Sequence, residues 1–270
     1  MISIQTYTPK TLFPLIKSFW CLKVDLMETA YEEEIIPDGH HEIIFHLNSK
    51  PAKRRTGNDK WQEEPVAFFA GQDLRSFKVQ IMPNAMIYGI RFQPHTQALF
   101  FNFPASITTD HPLSLDEVNE AKPLWNCISE QPERTFSNLE KFFLTQLSLL
   151  NNVPKAFDYV NVSVREILHR KGNIKIDQLV EKTDISARHL DSSFQEFVGV
   201  NPKTFCNLIK FSHFVNYRKN NPSKSLTECA HDANFYDQSH LIHVSNAITG
   251  KNPKEHFGER NCINDFFIDI

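Results

Sequence analysis

The chain has 270 residues, of which 41% are hydrophobic and 23% are charged, and its formal net charge is -3. This composition provides enough apolar side chains for one or two buried cores and is unlike that of disordered or fibrous proteins. The apolar runs are much shorter than the ~20 residues that a membrane-spanning helix needs. Because the N-terminus also lacks the pattern of a signal peptide, we expect a cytoplasmic protein that has no membrane partner.

Glycine and cysteine usage excludes several common functional motifs. None of the 8 glycines forms a Gly-x-Gly pair, which a dinucleotide fingerprint would require, and no P-loop is present. The 5 cysteines include no Cys-x-x-Cys pair, which argues against a zinc ribbon, a redox motif and a disulfide framework. No nucleophile and base stand at an informative spacing. We therefore expect neither an enzyme nor a bound cofactor.

From residue 1 to about 107 the pattern is typical of β-strands. Segments 41–47, 66–69 and 86–92 are rich in β-branched and aromatic residues, and turn sequences such as Pro37-Asp38-Gly39 separate them. Several short strands at this spacing predict a β-sandwich or barrel. A polar stretch between the first two strands is expected to be a solvated hairpin loop that contains the cations Lys50, Lys53, Arg54, Arg55 and Lys60.

One face of the first predicted strand is polar. Side chains alternate along a strand, so His40, Glu42 and His46 fall on the same side. These three could bind a divalent metal, but a straight strand at ~3.3 Å per residue places its ends too far apart for one ion. We therefore favour a face that lines a cavity and an opposite face that packs into the core, formed by His41, Ile43, Phe45 and Leu47.

After residue 107 the apolar period becomes that of helices. Helices are predicted at 114–120, 122–131 and 135–150, followed by a linker near 150–156 and a further helix that ends at Gly172. These boundaries predict a β-rich domain at 1–107, a helical linker or dimerisation segment at 108–155 and a third domain at 156–270. A homodimer would form around residues 135–150.

The third domain contains an internal repeat. The sequence Gly-x-Asn-Pro-Lys occurs at 199–203 and again at 250–254. In each copy we expect glycine to end a helix in the left-handed conformation, asparagine to cap the next helix and proline to occupy its first position. Ser186 caps the second helix of the first unit, and Asp237 starts its counterpart. Two similar units, at about 172–219 and 220–257, would share one long helix from about 202 to 219.

Residues 172–257 resemble the AraC/XylS-type DNA-binding domain, which contains two helix-turn-helix units. The string Asp-Gln-Ser-His at 237–240 is the most specific part of the match. The other matching residues are Ile176, Leu179, Ser186, Arg188, Leu190, Phe194, Gly199, Pro202, Phe205, Ala230, Phe235, Gly250, Pro253 and Phe257. The N-terminal half is similar to an uncharacterised β-rich sensor domain that precedes some AraC-type regulators, through residues 37–45, 71–72, 89–94 and 103–105. The expected fold is therefore α+β, with a cupin-like β-sandwich or barrel, then helices, then an all-α double helix-turn-helix domain.

The resemblance implies that one helix from each unit enters the major groove of double-stranded DNA. The positions it assigns to DNA contact are Ser186, Ala187, Arg188, His189, Ser192, Gln195, Lys210, Asp237, Gln238, Ser239, His240, His243 and Asn246. Three basic positions of the family pattern are occupied by Ser192, His243 and Asn246, and residues 172–257 carry 10 Lys+Arg and 9 Asp+Glu, so 10 − 9 = +1. We expect DNA affinity to rise as the pH falls through about 6.5, since protonated histidines would face phosphates.

The resemblance also implies an effector pocket in the β-rich domain, to which we assign His40, Glu42, Ile44, His46 and Arg91. Arg91 could anchor an anionic effector, but we favour an ion pair with Glu42 or Asp38. The predicted function is a sequence-specific transcription regulator that is controlled by a small molecule. The alternative is a binding or scaffold protein whose DNA contacts are weakened or lost, and a cupin-like metalloenzyme is the third hypothesis.

Overall fold

The computed structural model describes residues 2–25, 29–57, 59–150, 152–253 and residue 263. The first half of the described chain consists mainly of β-strands. They are β1 (Ile2–Tyr7), β2 (Ile16–Val24), β3 (Tyr31–Ile35), β4 (Glu42–Leu47), β5 (Lys53–Thr56), β6 (Gln62–Glu63), β7 (Ala67–Ala70), β8 (Phe77–Ile81), β9 (Met86–Phe92) and β10 (Leu113–Ser114). The second half is helical. Its helices are α1 (Pro132–Leu149), α2 (Lys155–His169), α3 (Ile176–Thr183), α4 (Ala187–Phe197), α5 (Pro202–Asn220), α6 (Leu226–Asp232) and α7 (Gln238–Thr249).

The strands form two antiparallel sheets, with the orders β1-β2-β9-β4-β7-β10 and β3-β8-β5-β6. The larger sheet faces the smaller one across an apolar cluster to which Trp20 and Ile87 contribute from one sheet and Val79 and Ile81 from the other. This arrangement confirms the α+β fold class and its β-rich N-terminal part. We refer to the described residues between 2 and 114, which contain the ten strands, as the β domain and to α2–α7 as the helical domain.

The three strands predicted from sequence correspond to β4, β7 and β9, which are neighbours in the larger sheet. The expectation for the basic hairpin loop was partly wrong, because Lys53, Arg54 and Arg55 lie in β5 of the smaller sheet. Their side chains are half-buried, and Arg54 pairs with Asp73 at 2.6 Å. Strand β5 pairs with β6 on one side and with β8 on the other. Its four residues are all polar, so its sequence resembles that of a solvated loop.

The segment between the sheets and the helical domain covers the outer face of the larger sheet. The helices predicted at 114–120 and 122–131 are 3-10 helices at Leu115–Glu117 and Asn119–Cys127, and the second contains Pro123. Proline lacks an amide donor and disfavours a continuous α-helix. The third prediction corresponds to α1, whose Phe136 and Phe143 share one core with Phe19 of β2. The segment thus completes the core of the β domain.

The predicted helix boundaries of the repeat are confirmed where the structure describes them. Asn201 accepts a hydrogen bond from the Thr204 amide at 2.8 Å, and Pro202 begins α5. Gly199 and Gly250 have φ values of 88° and 68°, as a left-handed helix end requires. The second copy continues to Pro253, whereas the matching residue Phe257 lies outside the described residues.

The first helix-turn-helix unit is bound to the β domain at the end of α4. His41 Nε2 donates to the carbonyl of Val198 at 3.0 Å, and Thr109 Oγ1 donates to the carbonyl of Gly199 at 2.9 Å. Both carbonyls belong to residues that directly follow α4. Satisfying exposed carbonyls at a helix end is a common role for such donors. Here the donors come from the β domain, so they fix the position of α4 relative to the sheets.

The second unit is bound to the β domain at the end of α7. The Ser76 amide donates to the carbonyl of Ile248 at 2.7 Å, and Lys251 Nζ pairs with Glu34 Oε2 at 2.6 Å. The first bond satisfies a carbonyl in the last turn of α7. Both units are therefore held by the β domain at the C-terminal ends of their second helices, which leaves the N-terminal ends of those helices away from the contacts.

Candidate functional site

The N-terminal end of α4 is exposed. Its cap Ser186 accepts from the His189 amide at 3.2 Å, and Ala187 and Arg188 follow in the first turn. The opposite face of α4 is buried through residues such as Leu190. The His189 ring also lies edge-on to the Tyr159 ring, with centroids 5.7 Å apart. The structure thus brings the first four predicted DNA-contact residues together at one exposed helix end.

Two other predicted residues, Ser192 and Gln195, lie further along α4. Ser192 and Gln195 line a groove between α4 and the β-domain segment that includes Asn102 and Pro104. The amide of Gln195, in the orientation that satisfies both of its groups, bonds to the backbone of Gly199 beyond the helix. Ser192 also donates to the carbonyl of His189 at 2.9 Å, so it lies one turn beyond the group at the N-terminal end, whereas Gln195 lies near the C-terminal end of α4.

The N-terminal end of α7 carries the residues of the Asp-Gln-Ser-His string. Asp237 caps the helix by accepting from the His240 amide at 2.7 Å, and Ser239 is exposed, whereas Gln238 is half-buried. His243 and Asn246 are exposed further along the helix. The structure therefore presents this set on the accessible part of the second unit.

His240 of α7 and Lys210 of α5 are partly buried against the same ring, that of Phe235. The His240 ring lies edge-on to the Phe235 ring, with centroids 5.3 Å apart, and Lys210 Nζ lies 5.8 Å from the centroid of the same ring. Burial, assisted by the charges of Lys210 and Lys203, lowers the pKa of His240 below its usual range. His240 therefore gains a proton at a lower pH than the expected value of about 6.5, because it is partly buried and two lysines lie close to it.

Tyr236, which directly precedes Asp237, is not among the residues predicted from sequence. Its side chain is 92% exposed, an unusual state for a large aromatic residue. The detectable signal was an aromatic residue next to the cap of α7. Tyr236 stands beside the exposed end of α7 and extends the accessible surface of that unit. We name the set Ser186, Ala187, Arg188, His189, Tyr236, Asp237, Gln238, Ser239 and His243 the reading surface.

A cavity of about 150 Å³ lies between the two sheets of the β domain. Its apolar wall includes Trp20, Leu22, Ile44, Phe77, Val79 and Ile87. All five residues assigned to the effector pocket from sequence lie on its wall, and these are His40, Glu42, Ile44, His46 and Arg91. The opposite face of β4 packs into the core through Ile43 and Phe45, as the alternation predicted. Gly89, where a Cβ would lie 1.9 Å from Trp20 Cε2, lets the indole ring lie against β9.

Arg91 is shared by two buried carboxylates. It pairs with Asp38 and, at 2.5 Å, with Glu42 Oε1, so the favoured ion pair is present in the structure. Burial opposes the ionised form of Asp38, but Arg91 holds the pKa of Asp38 below its usual range. Burial raises the pKa of Glu42 despite the same guanidinium. One cation thus serves two buried acids.

His40 makes a second set of polar contacts near Arg91. His40 Nδ1 donates to the carbonyl of Phe92 at 2.9 Å, and Lys17 Nζ lies 3.2 Å from His40 Nε2. Burial and the charge of Arg91 lower the pKa of His40 well below its usual range, so the ring is neutral and Nε2 accepts from Lys17. Burial lowers the pKa of Lys17 to about 8. Lys17 also lines a cleft against α5, outside the cavity between the sheets.

His46 and Glu64 form a separate pair on the cavity wall. The distance from His46 Nε2 to Glu64 Oε2 is 3.1 Å, and both side chains are buried. The metal hypothesis required His40, Glu42 and His46 to converge. Among the described residues, no group of three histidine, cysteine or acidic side chains could hold a metal ion. Each member of the proposed set has a different partner instead.

Two family models match the chain. Residues 5–114 match a domain of unknown function, DUF6597, and residues 179–258 match a helix-turn-helix domain. A comparison with curated proteins gives no match. No helix among the described residues is long and apolar enough to span a bilayer.

The chain also resembles several solved structures. A structure of ToxT from Vibrio cholerae matches with 11% identity over 94% of this chain and 97% of that chain, with a TM-score of 0.46. A ToxT structure described as bound to an unsaturated fatty acid matches with 12% identity over 94% of each chain and a TM-score of 0.43. The AraC-like transcriptional activator CuxR matches with 13% identity over 72% of this chain and 74% of that chain, with a TM-score of 0.32. The two family matches and the paired helical units together identify a protein with an AraC-type helix-turn-helix domain behind a DUF6597 domain.

Proposed function

We propose that this protein is a transcription regulator that binds a specific DNA sequence through the reading surface and responds to a small molecule in the cavity of the β domain. The AraC-type domain supports the DNA-binding part of this proposal. The single observation that carries the regulatory part is that one continuous segment, residues 34–41, borders the cavity and also contacts both helix-turn-helix units.

The contacts of this segment follow its order in the chain. Ile36 lines the cavity and also belongs to the apolar cluster that contains Leu208 of α5 and Leu241 of α7. Gly39 lines the cavity as well, and its φ of 87° brings its backbone against α5. A Cβ at position 39 would lie 2.8 Å from Ile209 Cδ1. A ligand that moved this segment would therefore move the helix that joins the two units.

The end of the segment contacts the first unit just beyond α4. His41 is fully buried and donates to Val198, which follows α4. The start of the segment contacts the second unit, because Glu34 pairs with Lys251. Since DNA binding by paired units depends on their spacing, a shift of this segment would change DNA affinity. Typical coupling between two such sites is about 1–3 kcal/mol.

DNA binding is tested by selecting duplexes from a random library with the full chain and measuring affinity by fluorescence anisotropy. We expect one preferred sequence, and Arg188→Ala should weaken binding and reduce the salt dependence by about one counterion if Arg188 contacts a phosphate. Arg134→Ala is the matched control, because Arg134 is an exposed arginine on α1. Equal affinity for all sequences and for both variants would favour the scaffold alternative, in which the DNA contacts are lost.

A homodimer through α1 is part of the proposal. The outer side of this helix and the residues that follow it expose Leu144, Leu149 and Val153, which are 37%, 62% and 48% accessible. Exposed apolar side chains of this kind occur at interaction sites. Light scattering of the wild type and of Leu149→Lys tests this proposal. A monomeric wild type would overturn it.

A further inference from the structure

We propose that the cavity of the β domain takes a compact apolar amine, whose ammonium group lies against the carboxylate of Glu64. This inference names the ligand class for the effector site and rests on the proposed function only for its regulatory consequence. The cavity itself is independent of that function. Its size sets the dimensions of the ligand, and the charges on its wall set the sign of the ligand's charge.

The cavity is small and its body is apolar. Its volume is about 150 Å³, which is similar to that of apolar protein cavities that hold a single benzene-sized molecule. The apolar part of the wall comes from both sheets, with Ile44 and Ile87 on one side and Phe77 and Val79 on the other. A ligand of one ring or a short branched chain fits this space, whereas a long acyl chain exceeds it.

The polar part of the wall contains more acids than permanent cations. Four carboxylic acids line the cavity, and these are Asp38, Glu42, Glu64 and Asp73. One guanidinium lines it, that of Arg91, and it is divided between Asp38 and Glu42. Arg54 neutralises Asp73 from outside the wall, at 2.6 Å. Lys17 faces the Arg91 group from the cleft beyond His40.

Of the four acids on the wall, only Glu64 has no cation of permanent charge among the partners described above. Arg91 and Lys17 together balance Asp38 and Glu42, and Arg54 balances Asp73. The partner of Glu64 is the His46 imidazole, which is a hydrogen-bonding group and not a permanent cation. Glu64 is only 7% exposed, so water does not replace a missing positive charge. A ligand ammonium would supply that charge beside a buried carboxylate.

The same geometry disfavours an anionic ligand. Arg91, the only permanent cation among the lining residues that the structure describes, already has two carboxylate partners. A carboxylate ligand would have to displace one of them or lie near Glu64 without a cation of its own. Both arrangements leave a buried negative charge without compensation, which is energetically costly. The ligand charge that fits the wall is therefore positive.

The test uses three ligands of nearly equal size and different charge, and the full-length protein. Benzylamine, benzyl alcohol and benzoate are titrated by calorimetry into the wild type, Glu64→Gln and Glu63→Gln. Glu63 is the matched control, because it is the exposed neighbour of Glu64 in the chain. Glutamine at position 64 keeps a hydrogen-bond acceptor for His46 and removes only the charge.

We expect the wild type and Glu63→Gln to bind benzylamine at least about tenfold more tightly than benzoate. Glu64→Gln should bind benzylamine about tenfold more weakly than the wild type does, and its affinity for benzyl alcohol should be unchanged. Benzoate binding as tightly as benzylamine, an unchanged benzylamine affinity in Glu64→Gln, or no binding of any of the three would overturn the proposal.

Anisotropy with the selected duplex separates this proposal from the proposed function. Benzylamine that binds in the calorimeter and leaves DNA affinity unchanged would overturn effector control and support the ligand class. Benzoate that binds more tightly and changes DNA affinity would overturn the ligand class and support effector control. The two hypotheses therefore fail through different measurements.

Discussion

The imidazole of His41 donates to the carbonyl of Val198 at 3.0 Å, and this bond joins the residue that precedes β4 to the residue that follows α4. The His41 side chain is fully buried. Removing either partner would leave a buried polar group without its hydrogen bond, which costs about 1–3 kcal/mol. The bond is therefore a specific connection between the β domain and the DNA-binding unit.

Acidification should destabilise this interface. Burial lowers the pKa of His41 to about 4, and burial lowers the pKa of His95, which donates to Asn161 of α2 at 3.1 Å, to about 4 as well. Below the ordinary histidine pKa of 6.5, both imidazoles are protonated in the unfolded chain. In the folded chain they take up a proton only near pH 4. The free energy of unfolding should fall as the pH falls through this window, by up to about 3 kcal/mol per histidine.

Urea unfolding from about pH 7 to about pH 4 measures this loss. The double variant His41→Gln, His95→Gln should be less stable at neutral pH and should show a shallower decrease, because glutamine does not titrate. His111→Gln is the control, since His111 is exposed. Identical pH slopes for the double variant and the control would contradict the assignment of the slope to the buried pair.

Gly39 should be sensitive to substitution in a way that Gly57 is not. Both have positive φ values, 87° and 55°, so alanine strains the backbone at either position. Only at Gly39 would the new Cβ meet other residues, Ile209 Cδ1 at 2.8 Å and Phe205 Cε2 at 3.0 Å, whereas at Gly57 no described atom lies within 4 Å. Gly39→Ala should therefore cost about 1 kcal/mol more in unfolding free energy than Gly57→Ala.

The DNA affinity of the same two variants shows whether a change at position 39 reaches the helix-turn-helix units or only lowers stability. Gly39→Ala should weaken DNA binding because the added methyl group displaces α5, which joins the two units. Gly57→Ala should bind DNA as the wild type does. If both variants bound DNA equally well, the segment at 34–41 would not transmit a change from the cavity to the reading surface.

Arg91→Met should cause a large and pH-dependent loss of stability. The substitution leaves Asp38 and Glu42 buried without their shared cation, and breaking such a pair costs about 3–5 kcal/mol. Without Arg91, burial and mutual repulsion raise the pKa of both acids. The loss should therefore be largest at alkaline pH and smaller in acid, where the acids become neutral. Chemical unfolding at several pH values measures this loss, with Arg75→Met, at an exposed arginine of the β domain, as the control. A loss of unfolding free energy that does not depend on pH would show that packing of the Arg91 side chain, and not its charge, dominates.

The alternation of β4 was predictable because its two faces meet different surroundings. Ile43 and Phe45 pack into the core, while Ile44 and His46 face the cavity, so the sequence has a period of two. Strand β2 has no such signal, because seven of its nine residues are buried in a pattern without alternation. A strand covered on both faces does not differ in composition from a buried helix segment.

The internal repeat allowed the helical units to be predicted from sequence, whereas the ion pairs on the cavity wall could be predicted only in part. Capping is local, so Ser186 and Asp237 identified the starts of α4 and α7. The pairs of Arg91 with Asp38 and of His46 with Glu64 join residues 53 and 18 positions apart. Which acid meets which base depends on the sheet register, and that register follows from pairing across the fold and not from local sequence.

Tyr236 should contribute to DNA binding without contributing to stability. Its ring is 92% exposed and directly precedes the cap of α7, so burial against a duplex would remove apolar area from water. Tyr236→Ala should lower DNA affinity by about 1 kcal/mol, or roughly fivefold, with an unchanged unfolding free energy. Phe13→Ala is the control, because Phe13 is a half-exposed aromatic residue of the β domain. A loss of stability in Tyr236→Ala, or equal DNA affinity in both variants, would place Tyr236 outside the reading surface.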